Sequence, residues 1–515
     1  MNRIVKVISI FITCVLLLSL FTGCTGAEKK QVYVYGTAQE PGSLNPNATD
    51  EPYGFSIYQN IYNRLVKYTN SFDIVPDLAE SWEFSDDGMS LTFHLYKNVK
   101  WHDGKEFSSD DVKWTFDTII KENGYAAASF ASVDTITCPD KDTVVFSLST
   151  PDSSLVSSLS KLGVFIMPKH IYEGTDWLTN AANTNPVGTG PFIFKEWKSG
   201  ESITCERNDN YFGEKAKLDK IEFKFIPDEN TAYLAWMNGE IDWYDSYPSE
   251  EVKKLEGNND YVIVEKHTAN ATYLTFNTQV GPFTDPVLRK AVALAISRSD
   301  ILDKAYQGVG VVSEYYIPSA FSPYLNNNSK LPIQNVDEAK KLLEDAGYIK
   351  DNNGFYATID FEYFSLDCFE DIALILKDQL ASVGINVNLK LLEYATWQEE
   401  VINNRHFTMT MMNGNQGPTV YGTLSRFDPD SATCIAGYSS DDMKVAIKNA
   451  VGSTSDDELK DAFMDIQTLL SNDIIILPLV EKVEYIPFKA DVHGHPLTDA
   501  LTTASPDELT FVYFS

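Results

Sequence analysis

The stretch from Pro76 to Asn123 constrains the fold of this chain more than any other part of the sequence. Apolar residues alternate with polar ones on both sides of an Asp-Gly dipeptide at residues 87–88, at Trp82, Phe84, Leu91, Phe93 and Leu95. Such alternation around Asp-Gly predicts a β-hairpin, because each strand then has one buried face and the dipeptide fits a tight turn. Ser108 with Asp111 forms a capping box, which predicts the start of a helix.

The detailed sequence of this block is more specific than its periodicity. It reads L-A-E-S-W-E-F-S-D-D-G-M-S-L-T-F-H-L-Y-K-N-V-K-W-H-D-G-K-E-F-S-S-D-D-V. This resembles the signature block of the peptide/nickel/opine class (family 5) of ABC-transporter solute-binding proteins, L-A-x-S-W-x-x-S-x-D-G-x-x-Y-T-F-x-L-R-x-x-V-K-W-x-D-G-x-P-F-T-A-x-D-V. Tyr96 replaces the usual Arg, and Ser108-Ser109 replaces Thr-Ala. Further matches at residues 185–192, 208–211 and 276–286 extend the resemblance over essentially the whole mature chain.

The resemblance implies an α/β, two-lobed fold like that of the periplasmic binding proteins (type II, three subdomains), with a hinge between the lobes. It implies a protein that captures peptides or peptide-like solutes outside the cytoplasmic membrane and delivers them to an ABC permease and its ATPase. It implies no catalysis and no cofactor. Oligosaccharide binding and metal-chelate or nickel binding within the same family stay open. A surface receptor or chaperone-like protein without transport is the alternative of a different class.

The N-terminus has the pattern of an export signal. Arg3 and Lys6 precede an apolar run over residues 8–21, and small residues then lead to Cys24. This pattern predicts a signal peptide over residues 1–23, lipidation of Cys24, and a polar tether over residues 24–30. Phe21 departs from the Leu that lipoprotein signals usually carry. We therefore expect a lipid-anchored protein on the outer face of the cytoplasmic membrane, periplasmic or extracellular.

The length of 515 residues is too great for one hydrophobic core. After residue 337, helical and strand patterns alternate, with helices over 337–346 and 370–382 and a strand over 385–392. This alternation predicts an α/β lobe with helices packed on a sheet. We expect a discontinuous first lobe, residues 31–277 and 484–515, and a second lobe, residues 278–483. The two crossings between them would form the hinge.

Charge and composition exclude several classes of function. The net charge of −32 argues against nucleic-acid binding, which needs a basic face. No hydrolase, nucleotide-binding or zinc motif is present. His493 and His495 could share a metal, but without a third ligand nearby we interpret them as a surface turn and predict no metal site. We expect a monomer. Four cysteines remain after the signal peptide, at Cys138, Cys205, Cys368 and Cys434. They are compatible either with disulfides or with free thiols.

The candidate ligand contacts follow from positions in the family. In peptide-binding members, the segment after the first family strand contributes acidic and backbone contacts, which implies Asp50, Glu51 and Tyr53. A run of the second lobe carries an Asp that pairs with the peptide ammonium, and here Asn415 stands at that position. Asn413 and Gln416 are neighbouring candidates in the same run. Further candidates are aromatic or basic residues that would suit a cleft wall or equally a lobe core, namely Trp397, Tyr421, Arg426 and Tyr438.

Overall fold

A computed structural model describes residues 31–48, 52–70, 73–160, 163–244, 246–366, 368–417, 419–453, 455–498, 505 and 507–515. The predicted signal peptide, the lipidated Cys24 and the tether lie outside the described residues, as do Asp50 and Glu51. In the described part of the chain, no helix has the length and apolar character needed to cross a membrane. All four cysteines described there are free thiols.

Nineteen strands are described. In chain order they are β1 (Val32–Thr37), β2 (Val66–Tyr68), β3 (Ile74–Pro76), β4 (Ala79–Phe84), β5 (Ser90–Leu95), β6 (Val133–Asp140), β7 (Thr143–Leu148), β8 (Phe192–Lys198), β9 (Ser202–Arg207), β10 (Lys220–Phe225), β11 (Trp243–Tyr244), β12 (Tyr261–Phe276), β13 (Val311–Val312), β14 (Ala357–Phe364), β15 (Ile385–Leu392), β16 (Met409–Asn415), β17 (Ile476–Lys489), β18 (Val492–His493) and β19 (Tyr513–Phe514).

The α-helices of the described residues are α1 (Phe55–Ile61), α2 (Ser109–Lys121), α3 (Ser154–Ser158), α4 (Lys169–Tyr172), α5 (Glu229–Met237), α6 (Ser249–Lys253), α7 (Pro286–Ala295), α8 (Arg298–Ala305), α9 (Val336–Asp345), α10 (Phe369–Ser382), α11 (Tyr394–Trp397), α12 (Asp441–Val451) and α13 (Asp456–Asp473). A π-helical turn covers Gln398–Asn403. The 3-10 turns are Pro52–Gly54, Ala127–Phe130, Ala181–Asn183, Pro282–Thr284, Ser319–Tyr324 and Val420–Arg426.

The strands form three main sheets. Their orders are β11-β1-β10-β9-β8, β4-β5-β7-β6 and β13-β17-β12-β16-β14-β15, and β2-β3 and β18-β19 are separate pairs. In the third sheet, β14 is parallel to both β15 and β16, whereas β12 is antiparallel to β16 and β17. Helices accompany each sheet, so the predicted α/β class is confirmed.

The local predictions around the opening block are confirmed. Strands β4 and β5 pair as an antiparallel hairpin that sets Trp82 opposite Phe93 and Phe84 opposite Leu91. The backbone N–H of Ser108 donates to Asp111 Oδ2 over 3.0 Å, and the reciprocal bond completes the capping box of α2. These features depend on neighbouring residues only, which is why the sequence alone predicts them.

One predicted helix is too long. Residues 57–66 have a helical pattern, but α1 ends at Ile61 and β2 begins at Val66. The buried carboxylate of Asp77 accepts hydrogen bonds from the Arg64 backbone N–H at 2.7 Å and from Asn63 Nδ2 at 2.6 Å. A backbone N–H that bonds to a side chain thirteen residues away cannot also continue the helical ladder. The prediction failed because the partner is distant in sequence.

The buried apolar side chains fall into two clusters. The first core takes residues between 33 and 252 and between 486 and 512, and the second core takes residues between 269 and 480. Strands β12 and β17 run antiparallel to each other from one core into the other, pairing Tyr261 with Lys489 at one end and Thr275 with Ile476 at the other. Their ladder has a register shift between His267 and Ala271. The two cores therefore share a pair of long strands.

Candidate functional site

One edge of the third sheet is marked by the ends of its parallel strands. The parallel strands β14, β15 and β16 have their carboxyl ends at this edge, at Phe364, Leu392 and Asn415. Asn415 is paired with Asn270 of β12, within the stretch that passes from one core to the other. Ligands of open α/β sheets bind outside the carboxyl ends of the strands. We call this region the cleft edge, meaning the residues that end and follow these three strands.

The run after β16 supplies polar groups at the cleft edge. Asn413 and Asn415 are exposed, and Asn415 Oδ1 accepts the N–H of Gly417 at 2.8 Å. Gln416 is buried, and its backbone N–H donates to the carbonyl of Ala269 at 2.8 Å. The Oε1 atom of Gln416 has no hydrogen-bond partner among the described residues. A buried polar atom without a partner costs free energy, so this side-chain amide has unused binding capacity.

Arg426 lies beside this run. It ends the 3-10 turn Val420–Arg426, and its Cζ atom stands 4.9 Å from the centre of the Tyr273 ring. A Cβ atom placed on Gly414 would lie 3.0 Å from Arg426 Nη2, so the guanidinium occupies space that only a glycine leaves. The Nη1 atom is buried and has no partner in the described part of the chain.

Arg426 is a half-buried cation without an acidic partner among the described residues. Burial lowers the pKa of its guanidinium, and the Tyr273 hydroxyl opposes that shift. No ion pair joins Arg426 to a carboxylate of the described residues. Asp428, the nearest acid along the chain, accepts instead the N–H of Asp430 at 2.9 Å. A desolvated donor without a partner costs free energy, and Arg426 Nη1 is such a donor in the described part of the chain.

Tyr421 connects the two cores directly. Its hydroxyl lies 2.9 Å from Ser153 Oγ, just before α3 in the first part of the chain. Thr419 Oγ1 lies 2.6 Å from Ser157 Oγ of the same helix. The backbone N–H of Ser153 also donates to the carbonyl of Val451 at 2.8 Å. The segment that carries the candidate site therefore contacts both halves of the molecule.

Two further candidates belong to the second core. Trp397 is buried, and its Nε1 donates to Thr410 Oγ1 at 3.0 Å. Tyr438 is buried, and its hydroxyl donates to the Asp473 carboxylate. Both polar atoms are satisfied inside the lobe, in contrast with Gln416 and Arg426. Tyr53 lies apart from this group in the turn Pro52–Gly54, with 36% of its surface exposed.

Sequence reasoning did not select Tyr394, Tyr273 or Ser153. Tyr394 follows β15 at the cleft edge, is 55% exposed, and stacks on Trp397 at 6.0 Å between ring centres. The available signal was its place directly after a predicted strand. No comparable signal marks Tyr273 or Ser153, because their partners Arg426 and Tyr421 are more than a hundred residues away.

The histidine pair near the C-terminus differs from its prediction. His495 is fully buried, where the sequence predicted a surface turn. Its ring stacks on Trp243 at 4.7 Å and packs against Phe488, and this burial lowers its pKa to about 3. Trp243 comes from a segment far away in sequence, so the sequence pattern did not reveal this contact. Among the described residues no group of three or more metal-ligating side chains is assembled.

Comparison with known proteins decides the family. The model of the bacterial extracellular solute-binding proteins, family 5, matches residues 73–431. The chain belongs to this family. The match runs from the start of β3 to the segment after Arg426, so it includes the hairpin, both cores and the cleft edge.

The relatives of this family 5 protein are named for different ligands. Heme-binding protein A of Haemophilus influenzae is 26% identical over 502 residues, which cover 91% of this chain and 90% of the relative. Oligopeptide-binding protein AppA of Bacillus subtilis is 28% identical over 424 residues, covering 76% and 77%. The chain is therefore similar, over most of its length, to proteins named for binding haem and oligopeptides.

Solved structures confirm the two-lobed binding-protein fold. The unliganded open form of the periplasmic murein tripeptide binding protein MppA superimposes with a TM-score of 0.83 at 20% identity, covering 94% of this chain and 98% of MppA. The complex of Bacillus subtilis AppA with a nonapeptide superimposes with a TM-score of 0.69 at 24% identity, covering 95% and 100%.

Proposed function

We propose that this protein captures peptides between its two lobes and delivers them to an ABC permease and its ATPase. The observation that carries the proposal is the pair of buried, unpartnered polar groups at the cleft edge, Gln416 Oε1 and Arg426 Nη1. A peptide offers N–H donors to the first and carbonyl or carboxylate acceptors to the second. The oligopeptide-binding relative AppA supports this choice of ligand.

The proposed lobes are residues 31–277 with 484–515, and residues 278–483. The two hydrophobic cores support this division, and Ala269 and Tyr273 already pack with the second core. We place the pivot in residues 267–271 of β12 and 481–483 of β17, where the ladder has its register shift. A β-bulge interrupts regular pairing and bends a strand locally, so it suits a hinge.

The proposed mechanism is a hinge equilibrium. A ligand that touches both lobes favours the closed state by its additional contacts there, and the permease recognises that state. The chain superimposes better on the open, unliganded MppA than on the AppA complex, although AppA is the more similar in sequence. A difference in lobe orientation around an unchanged fold would produce this pattern of scores. No covalent chemistry is part of the mechanism.

The proposed location is the outer face of the cytoplasmic membrane, with the protein anchored as a monomer through lipidated Cys24. Stable anchoring needs more than one acyl chain, which a lipidated cysteine carries. Replacing Cys24 with Ser should move the protein from the membrane fraction to the soluble fraction. An unchanged distribution of the C24S variant would contradict the anchor without affecting the proposal for the ligand.

Mass spectrometry of small molecules released from the purified protein tests the ligand class. We expect peptides. Haem, suggested by the name of the Haemophilus relative, an oligosaccharide or a nickel chelate would each contradict the proposal.

Because Asn415 cannot neutralise an ammonium group, N-acetylated peptides should bind as tightly as free ones, and Asn415→Asp should shift the preference toward free amines.

A further inference from the structure

Resting on the proposed function, we propose that Arg426 is a specificity-determining residue that pairs with a carboxylate of the bound peptide. The ligand class is then narrower than peptides in general: it is peptides with a free carboxylate placed at the cleft edge. The proposal assigns no role in recognition to the amino end of the ligand.

The geometry around Arg426 supports a planar anionic partner. One face of the guanidinium lies on the Tyr273 ring, and Nη2 lies against Gly414. Stacking on an aromatic ring fixes the plane of the guanidinium, and its donors point outward from that plane. A carboxylate matches such a fixed fork with two parallel hydrogen bonds. Tyr273 and Gly414 therefore orient Arg426 in the way that carboxylate recognition requires.

Arg289, in the same lobe, shows what a structural arginine looks like here. Its Nε donates to the carbonyl of Asp473 at 2.7 Å, and its Nη1 donates to the carbonyl of Phe283 at 2.6 Å. Arg289 thereby ties α7 to the end of α13. Arg426 makes no hydrogen bond of this kind to any described residue. A purely structural role would leave the burial of the Arg426 charge uncompensated.

The neighbouring amides fit the same ligand. Asn415 is neutral where a peptide ammonium would need an acid, and Arg426 forms no ion pair with a carboxylate of the described residues. The unpaired Oε1 atom of Gln416 can accept a peptide N–H. Together these groups favour a ligand that brings a negative charge and an amide. A neutral sugar offers hydroxyl groups but no charge, so it leaves Arg426 unpaired.

The test uses an N-acetylated tripeptide library without Asp or Glu, synthesised both as free acids and as C-terminal amides. Captured peptides are identified by mass spectrometry, and the best sequence is measured by calorimetry in both forms. The wild type should bind the free acid at least about tenfold more tightly than the amide, as a charge-assisted hydrogen bond implies. Arg426→Gln should bind both forms equally. Lys377→Gln, which removes a charge from the exposed face of α10, should keep the full preference.

Two more variants keep the test informative if R426Q is poorly folded. Arg426→Lys keeps the charge but not the fork, so its preference for the acid should fall without disappearing. Gly414→Ala keeps the arginine but places a methyl group 3.0 Å from Nη2, so it should also lower the preference. Equal wild-type binding of acid and amide would overturn the role of Arg426 and leave peptide capture standing. Capture of neither form would overturn the peptide function itself.

Discussion

Arg64, which is buried in the first part of the chain, and Arg426, which is half-buried beside the cleft edge, differ in what surrounds them. Arg64 of the first core stacks on Phe165 with 4.8 Å between Cζ and the ring centre. Its Nη1 donates to the carbonyl of Ser160 at 3.0 Å and its Nη2 to Ser505 Oγ at 3.0 Å, and only Nε lacks a partner. Arg426 stacks on Tyr273 at nearly the same distance, 4.9 Å, but has no hydrogen bond or ion pair to any described residue.

The comparison teaches how to separate a structural charge from one kept for a ligand. Arg64 joins three segments that are far apart in sequence, and the carboxylates of Asp77 and Glu508 raise its pKa against the effect of burial. The neighbouring Lys67 and Glu508 form a buried ion pair at 2.6 Å. The charges of the first core thus compensate one another within the protein. Under our proposal, the charge of Arg426 is compensated when a carboxylate of the ligand binds.

The largest expected effect follows from removing Arg64. Arg64→Met should lower the free energy of unfolding by about 3–5 kcal/mol, because it leaves buried acceptors and carboxylates of the network without their cation. Urea denaturation followed by tryptophan fluorescence measures this loss. Arg207→Met is the control, because its ion pairs with Asp209 and Asp219 are partly exposed and should contribute less than about 1 kcal/mol. An R64M variant as stable as the control would break the comparison.

The first core should also be the acid-sensitive one. His102 accepts the N–H of Gly188 at 3.2 Å, lies 3.0 Å from the carbonyl of Gly190, and has its pKa lowered by burial to about 4. Asp103 raises this pKa and Lys195 lowers it further. The ring is neutral in the folded protein but takes up a proton in the unfolded chain near pH 6.5. Its contribution, about 3 kcal/mol, is therefore present above pH 6.5 and is lost as the pH falls toward 4.

Unfolding of the wild type and His102→Gln across this pH range isolates that contribution. The difference in unfolding free energy between the two proteins should shrink as the pH falls from 6.5 to 4. This subtraction removes the opposing effect of buried carboxylates with raised pKa values, such as Asp77 and Asp242. A difference that stays constant with pH would show that His102 is not the titrating group.

The smallest expected effect on stability is at Arg426. Arg426→Gln should leave the free energy of unfolding unchanged or raise it by about 1 kcal/mol, because it removes a half-buried charge that pairs with no described acid. The same denaturation experiment measures it beside R64M. Arg426→Lys retains the charge, so we expect no comparable rise in its free energy of unfolding. A loss of several kcal/mol in R426Q would mean that Arg426 has a structural partner, and the contrast with Arg64 would disappear.

The sequence predicts those parts of the structure that depend on neighbouring residues. The hairpin, the capping box and the strand over 385–392 are of this kind. The apolar patterns at residues 273–278 and 474–478 predict strands there, but β12 and β17 are far longer than these stretches. Residues 265–270 read Glu-Lys-His-Thr-Ala-Asn and carry no alternation of apolar and polar residues. Pairing between the two strands, and not side-chain burial, extends them there.

The sequence names candidate residues but not the state of their polar atoms. Family resemblance selects the run around Asn415, which includes Gln416, and Arg426 is a residue type that suits a cleft wall. That Trp397 and Tyr438 have their polar atoms satisfied, while Gln416 and Arg426 do not, depends on contacts with Thr410, Asp473, Tyr273 and Gly414. Whether a polar atom has a hydrogen-bond partner is a property of the folded chain, so no residue pattern could have revealed it.

Small-angle scattering tests most directly the claim that a ligand is held between two hinged lobes. The protein is stripped of bound material by partial unfolding and dialysis, refolded, and measured with and without the free-acid peptides that it captures. The radius of gyration should fall on adding these peptides and stay unchanged on adding the matched amides. Binding confirmed by calorimetry, with an unchanged radius of gyration for the free acid, would contradict closure of the lobes around the ligand.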